Sequence, residues 1–158
     1  MNNKEYVLYA CYGSNLCLER FMKYINNCID KTPPSKNLVV TIPYEMYFGN
    51  KSRSWDDGGV CFIDAKKNEN VKTIARAYLV TYEQYLAIQK QEGDSDSWYG
   101  NTIVLGNIDG HRALTFTSRY RHHYNRPCNR YIDYVKRGLV ECGLTEEDAI
   151  AYLENKLK

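Results

Sequence analysis

The sequence predicts an α+β domain built on a mixed sheet. Three observations lead there. Glu5 to Tyr12 is apolar on both alternating faces, as in a strand buried on both sides. Later stretches read as strands separated by turn signals, among them a hairpin centred on Asp109-Gly110. Helical periodicities fall between these strands irregularly, so no strict βαβ repeat emerges. The reading gives about six strands and four helices, in a sheet that could close into a barrel. No internal repeat or low-complexity segment is present. The 158 residues suggest one domain spanning 1–158. That length can bury a core without metals or disulfides.

Each element has a local reason. The first strand stops at Gly13, and Ser14 or Asn15 is expected to cap a helix running to about residue 27. Leu18, Phe21, Met22 and Ile25 form its core-facing stripe. Pro33-Pro34 ends that unit. Asn37 to Asn50 reads as one extended segment, with Pro43 marking a bulge or a sheet edge. Lys51 to Gly59 reads as a loop, Val60 to Ala65 as a short strand and Val71 to Thr81 as another.

Thr81 and Gln84 have capping-box spacing and start a short helix, with Gly93 as its C′ residue. Tyr99 to Ile108 and Arg112 to Ser118 form the hairpin. Pro127 opens a helix in which Tyr131, Tyr134, Val135, Gly138, Leu139 and Cys142 recur at helical spacing. Gly138 within that stripe suggests close helix packing. Gly143 ends the helix. Thr145 caps a last one, with Ile150, Leu153 and Leu157 facing inward.

Composition narrows the function. A net charge of +2 favours neither strong nucleic-acid steering nor an acidic solvating role. Six cysteines contain no CxxC pair and no closely spaced Cys/His quartet, which argues against zinc. The start, Met-Asn-Asn-Lys-Glu, has no apolar segment behind a basic end, and no apolar run is long enough to span a bilayer. These readings imply a cytoplasmic protein with reduced thiols and no membrane partner. Fifteen tyrosines could wall a polar pocket or fill half-buried sheet positions.

Two stretches carry candidate chemistry. Tyr9 to Leu16 takes a strand through a glycine turn into a helix. Such a turn leaves backbone N–H groups pointing outward, toward an anion or a polarised carbonyl, or it simply connects two elements. Glu92 ends a short helix just before Gly93. The negative end of the helix dipole and partial burial would both raise its pKa. It is then either a group that accepts and returns a proton near neutral pH, or a solvated glutamate at a fraying end. Arg119 to Arg126 interleaves cations and rings as single-strand binders do, but the run is short and a solvated loop suits it better. Cys11 or Cys128 with His123 could form a thiol–imidazole pair, though nothing local supports one. Asp94, Asp96 and Asp56-Asp57 lack calcium-loop spacing.

Four separated motifs complete the picture. They are Tyr12-Gly13-Ser14-Asn15-Leu16, Trp55 to Gly59 with the following strand, Gln91-Glu92-Gly93 with Tyr99 beyond it, and Pro127 with Tyr131 and Gly138, followed by Gly143-Leu144. In their order and spacing the chain resembles the γ-glutamyl cyclotransferase family, which includes plant avirulence-induced (AIG2-like) and butirosin-biosynthesis (BtrG-like) relatives. The resemblance implies a small mixed β-barrel flanked by helices, with a cavity at the barrel mouth. It implies a reaction in which the α-amine of a γ-glutamyl group attacks its own γ-carbonyl, releasing 5-oxoproline and a free amine. It maps the catalytic glutamate onto Glu92. It maps substrate binding onto the turn from Tyr12 through Gly13, Ser14, Asn15 and Leu16, onto Tyr99, and onto Tyr131. No metal or organic cofactor is required, because the nucleophile belongs to the substrate. The expected partner is a small γ-glutamyl substrate, with no nucleic acid, for a monomer or homodimer. A non-catalytic small-molecule binding protein with the same pocket is the alternative, and a nucleic-acid-binding protein a more distant one.

Overall fold

The computed structural model describes residues 4–158. The start of the stretch read above for a targeting segment, residues 1–3, lies outside the described residues. Seven strands and four α-helices are present among the described residues. Strand β1 (Tyr6–Cys11) leads through a 3-10 turn at Ser14–Leu16 into α1 (Leu18–Asn26). Then come β2 (Asn37–Ile42), β3 (Met46–Ser52), β4 (Gly58–Ile63) and β5 (Thr73–Thr81). Helix α2 (Tyr82–Glu92), the hairpin β6 (Asn101–Ile108) and β7 (His111–Thr117), α3 (Asn129–Glu141) and α4 (Glu146–Glu154) complete the chain.

Five strands form a mixed sheet in the order β2-β5-β1-β7-β6, and β3 with β4 forms a separate antiparallel pair. In the large sheet β1 runs antiparallel to β5 and parallel to β7. The α+β class and the mixed sheet are as expected. No backbone ladder closes the two sheets into a continuous cylinder among the described residues. Side chains join them instead: Thr117 Oγ1 on β7 donates to the Ile63 carbonyl at 2.7 Å and accepts from the Ile63 N–H at 3.2 Å.

Local chemistry explains most boundaries. The capping box forms in full: Thr81 Oγ1 accepts from the Gln84 N–H, and Gln84 Oε1 accepts from the Thr81 N–H, both at 3.0 Å. Gly93 ends α2 with φ 108°, where a Cβ would be strained. Asp109 and Gly110 both have positive φ, as a type I′ hairpin requires. Thr145 caps α4 by accepting from the Asp148 N–H.

Several expectations fail for identifiable reasons. Neither Ser14 nor Asn15 caps a long helix. Both sit inside the 3-10 turn, and Cys17 breaks the backbone to an extended conformation before α1 begins. Leu18 is consequently at the surface, while Phe21 and Ile25 are buried. The stretch from Asn37 to Asn50 is two strands, because at Pro43 the chain leaves the large sheet for the β3–β4 pair. Ile150 faces outward and Leu153 inward.

The turn after β1 is packed tightly from behind. A Cβ added at Gly138 of α3 would stand 2.3 Å from Leu16 Cβ and 2.5 Å from the Cys17 nitrogen. Glycine is therefore required there by space. Arg76 on β5 strengthens the same junction. Its Nη1 donates to the Leu16 carbonyl at 2.8 Å and to Glu141 Oε1 at 2.7 Å. Glu141 Oε1 also accepts from the Leu18 N–H at 2.9 Å, standing in for the cap that Cys17 cannot supply. Gly138→Ala should lower stability by about 1–3 kcal/mol in urea unfolding, although alanine favours the helix by about 1 kcal/mol. An unchanged unfolding midpoint would show that the junction has slack.

Candidate active site

Topology brings the two candidate stretches together. Helix α2 starts beside Tyr6, since Thr81 pairs with Tyr6 in the β1–β5 register. Its 11 residues run back for roughly 16 Å along the six-residue β1, itself about 20 Å long. The C-terminus of α2, with Glu92, therefore returns to the end of β1 where the turn begins. Strand β7, parallel to β1, delivers Phe116 to the same end. These elements line a cavity of about 170 Å³.

Glu92 lines that cavity. Its Oε1 accepts a hydrogen bond from Asn15 Nδ2 at 3.1 Å, tying α2 directly to the turn. Burial raises the Glu92 pKa above the ordinary carboxylate value. The Tyr24 hydroxyl, the Asn15 amide and the Arg20 charge oppose that rise without cancelling it. The position at the C-terminal end of α2 acts in the same direction as burial. A carboxylate so placed exchanges protons more readily at neutral pH than a solvated one does.

The turn supplies donors. Within it, the Leu16 N–H bonds to the Gly13 carbonyl and the Cys17 N–H to the Ser14 carbonyl. The N–H groups of Gly13, Ser14 and Asn15 have no protein acceptor among the described residues. Asn15 Oδ1 is buried and likewise without a partner, while Asn15 Nδ2 is committed to Glu92. Gly13 is needed for close approach, its φ being an ordinary −116°. A Cβ there would meet Cys61 Cβ at 2.9 Å and the Tyr131 hydroxyl at 3.0 Å.

Of the residues singled out in the sequence, Tyr12, Gly13, Ser14, Asn15, Glu92, Tyr99 and Tyr131 all line the cavity. Leu16 does not. It is fully buried behind the turn against Gly138. The tyrosine hydroxyls are mostly engaged with backbone. Tyr12 donates to the Phe116 carbonyl and Tyr99 to the Cys61 carbonyl, each at 2.7 Å. Tyr131 accepts from the Cys61 N–H at 2.9 Å, which leaves its own proton for another acceptor. Tyr99 and Tyr131 thus take up both backbone polar groups of Cys61 and fix one wall.

Sequence reasoning missed several polar residues of the site, Arg20 and Tyr24 among them. Both line the cavity from α1, one helical turn apart. Their four-residue spacing, beside the apolar stripe of Phe21 and Ile25, is the signal that could have found them. Other candidates dissolve. Cys11 is buried at the cavity wall and donates to the Arg76 carbonyl, and burial pushes its thiol well up; His123 lies in a different hollow with Tyr47 and Lys156. Burial likewise pushes the Cys61 thiol up to about 12. Arg119 pairs with Asp96, and Arg121 with Glu45 and Asp64, so the basic loop is partly neutralised by its own fold. No group of three or more His, Cys, Asp or Glu converges to hold a metal among the described residues. No helix there is long and apolar enough to cross a membrane.

No protein-family model matches the sequence. The chain is 30% identical to part of Histone deacetylase 5 of Arabidopsis thaliana, over 94% of this chain and 30% of that protein. It therefore spans under a third of the length of that curated relative. Among solved structures, a γ-glutamyl cyclotransferase superposes with TM-score 0.70 at 19% identity, over 93% of this chain and 86% of that one. An uncharacterised human protein superposes with TM-score 0.72 at 20% identity, over 94% and 88%. These likenesses show the architecture: this chain has the γ-glutamyl cyclotransferase fold.

Proposed function

We propose that the protein is a cyclotransferase, converting a γ-glutamyl amide into 5-oxoproline and a free amine or amino acid. The observation that carries this reading is Glu92: a carboxylate of raised pKa, lining a cavity, bonded to a turn whose N–H donors are unspent.

The chemistry is a ring closure. The substrate α-ammonium gives a proton to Glu92, and its nitrogen attacks the γ-carbonyl carbon. Glu92 passes that proton to the leaving nitrogen as the amide C–N bond breaks, then takes the second proton that the ring nitrogen sheds and passes it to the released amine, which departs as an ammonium, so the carboxylate ends as it began. Asn15 Oδ1, buried and unpartnered, suits a further ammonium proton and would aim the nucleophile. The free N–H groups of Gly13, Ser14 and Asn15 suit either the developing oxyanion or the glutamyl α-carboxylate. Tyr12, Tyr99 and Tyr131 form rigid walls about the glutamyl group. Ring closure needs no second substrate, which fits a small cavity.

Glu92→Gln should lower kcat for 5-oxoproline release from γ-glutamyl substrates by about 10²–10⁴-fold. Equal turnover by both proteins would remove Glu92 from the mechanism. Ligand binding without product at any pH between about 6 and 9 would instead make this a binding protein on the same fold. For the wild type, the acid limb of kcat/KM should lie above the ordinary carboxylate range, because Glu92 must be ionised to accept a proton.

Stability should carry the same signature. A carboxyl whose pKa is raised by folding is bound to its proton longer in the folded state. Stability then falls as pH rises from the unfolded value, about 4.3, through the raised folded one. Glutamine is neutral throughout. The melting temperature of Glu92→Gln should therefore exceed that of wild type at pH 7, with the gap closing below about pH 4. A gap independent of pH would mean that the charge at residue 92 is not desolvated.

A further inference from the structure

Trp55 stands at the tip of the connection between β3 and β4, in the 3-10 turn Arg53–Trp55. Its ring lines the cavity and is only 7% exposed. Two cations lie against it. The Arg20 guanidinium carbon is 4.9 Å from the ring centroid, and that of Arg130 is 4.5 Å away. Two rings of α3 meet it edge to face, Tyr131 at 5.0 Å and Tyr134 at 5.8 Å between centroids. The connection fixes its own base. The Asp57 N–H donates to the Ser52 carbonyl at 2.8 Å, and Asn125 Nδ2 donates to the Asn50 and Asp57 carbonyls at 2.8 and 3.1 Å. The tip is another matter. Behind it, Asp56 and Asp57 hold φ values of 56° and 61°, a conformation that residues with a side chain rarely adopt.

Arg130 is the residue whose placement needs a reason. It does not line the cavity, and it is exposed. It sits in the first turn of α3, where the partial positive charge of the helix end disfavours a cation and no acidic residue offsets it. None of the ion pairs found among the described residues includes it, although many of the other arginines are paired. Its contacts go to the tip instead. Nη2 donates to the Ser54 carbonyl at 2.9 Å while the guanidinium lies over Trp55. That is the only hydrogen bond found between Arg53–Trp55 and another element among the described residues.

We infer that Arg130 is a positioning residue for the proposed reaction: from outside the cavity it holds the Trp55 ring down as a cover. The catalytic part of this rests on the cyclotransferase reading, while the seating of Trp55 does not. A seated ring keeps water out of that side of the cavity, and hydrogen bonds to a bound substrate are stronger where water is excluded. It also buttresses Tyr131, the ring it meets at 5.0 Å. Without Arg130 the tip keeps its anchored base and loses its one hydrogen bond to another element, so the ring is free to lift.

The test has two readouts. The chain has two tryptophans, so Trp98→Phe leaves Trp55 as the sole indole, and acrylamide quenching of its fluorescence reports how open the ring is. Arg130→Gln keeps a hydrogen-bond donor and removes the charge, and Arg130→Lys keeps the charge. The quenching constant should rise about twofold or more with Arg130→Gln and less with Arg130→Lys. With Trp98 intact, kcat/KM for 5-oxoproline release is measured on γ-glutamyl-alanine or γ-glutamyl-ethylamide, whichever the wild type turns over. It should fall about five- to tenfold with Arg130→Gln. In a Trp55→Leu background the same substitution should change it by less than about twofold, because the ring through which Arg130 acts is gone. Unchanged quenching overturns the inference. So does a loss of kcat/KM that persists in full without Trp55. Melting curves check that the variants fold, and Arg130→Lys carries the test if Arg130→Gln does not. No product from the wild type sinks the reaction and Arg130's part in it, while the quenching still decides what holds Trp55.

Discussion

The structure depends on how closely the turn after β1 is gripped. Leu16 lies against Gly138 with no room for a methyl group, and Gly13 lies against Cys61 and Tyr131 with little more. Arg76 and Glu141 tie the same segment to β5 and α3. A turn of this kind, free in solution, would sample many shapes and present its N–H groups to water. Gripped from both sides it has one shape, and the residues that carry its unpartnered N–H groups line the cavity. The glycines here provide clearance for backbone and side chains, while the conformational freedom of glycine is used elsewhere, at Gly93 and Gly110.

The second constraint is length. Helix α2 and strand β1 cover nearly the same distance, so a helix that begins at the far end of the sheet finishes at the turn. Glu92 gains its setting from that coincidence. One residue fewer would rotate its side chain by about 100° and shorten the helix by 1.5 Å. The capping box at Thr81 and Gln84 fixes where the helix starts, and so fixes where Glu92 ends up.

What the sequence made legible follows from how local each signal is. The capping box, the Asp109-Gly110 hairpin and the helix stop at Gly93 are decided by neighbouring residues, and each was readable. Glu92 could be singled out because a helix terminus is itself a local feature. The failures are of the opposite kind. Ser14 and Asn15 have the chemistry of caps, but the grip of α3 on Leu16 holds them in a 3-10 turn instead. Pro43 could be read as a bulge or an edge, yet its actual effect, moving the chain to another sheet, depends on partners far along the sequence. Arg20 and Tyr24 look like the exposed face of an amphipathic helix. Only the folding of the β3–β4 connection over that face, with Trp55 at its tip, makes them part of an interior. The γ-glutamyl cyclotransferase likeness read from four motifs is met by the solved structures at the level of the fold.

The two outer strands of the large sheet each carry an interruption. Strand β2 is six residues long and is followed at once by Pro43, which has no N–H to offer. In β6 the register shifts between Val104 and Gly106, where Gly106 has φ 97°. Both outer strands leave backbone groups unpaired, and Val104 is among the more exposed apolar side chains. A flat, regular strand in that position would be a template for another chain. A kinked one and a short one ended by proline offer only a few residues in matching register. The molecule thus carries its own protection against sheet-to-sheet stacking between copies, set at the two margins farthest from the cavity in the order of strands.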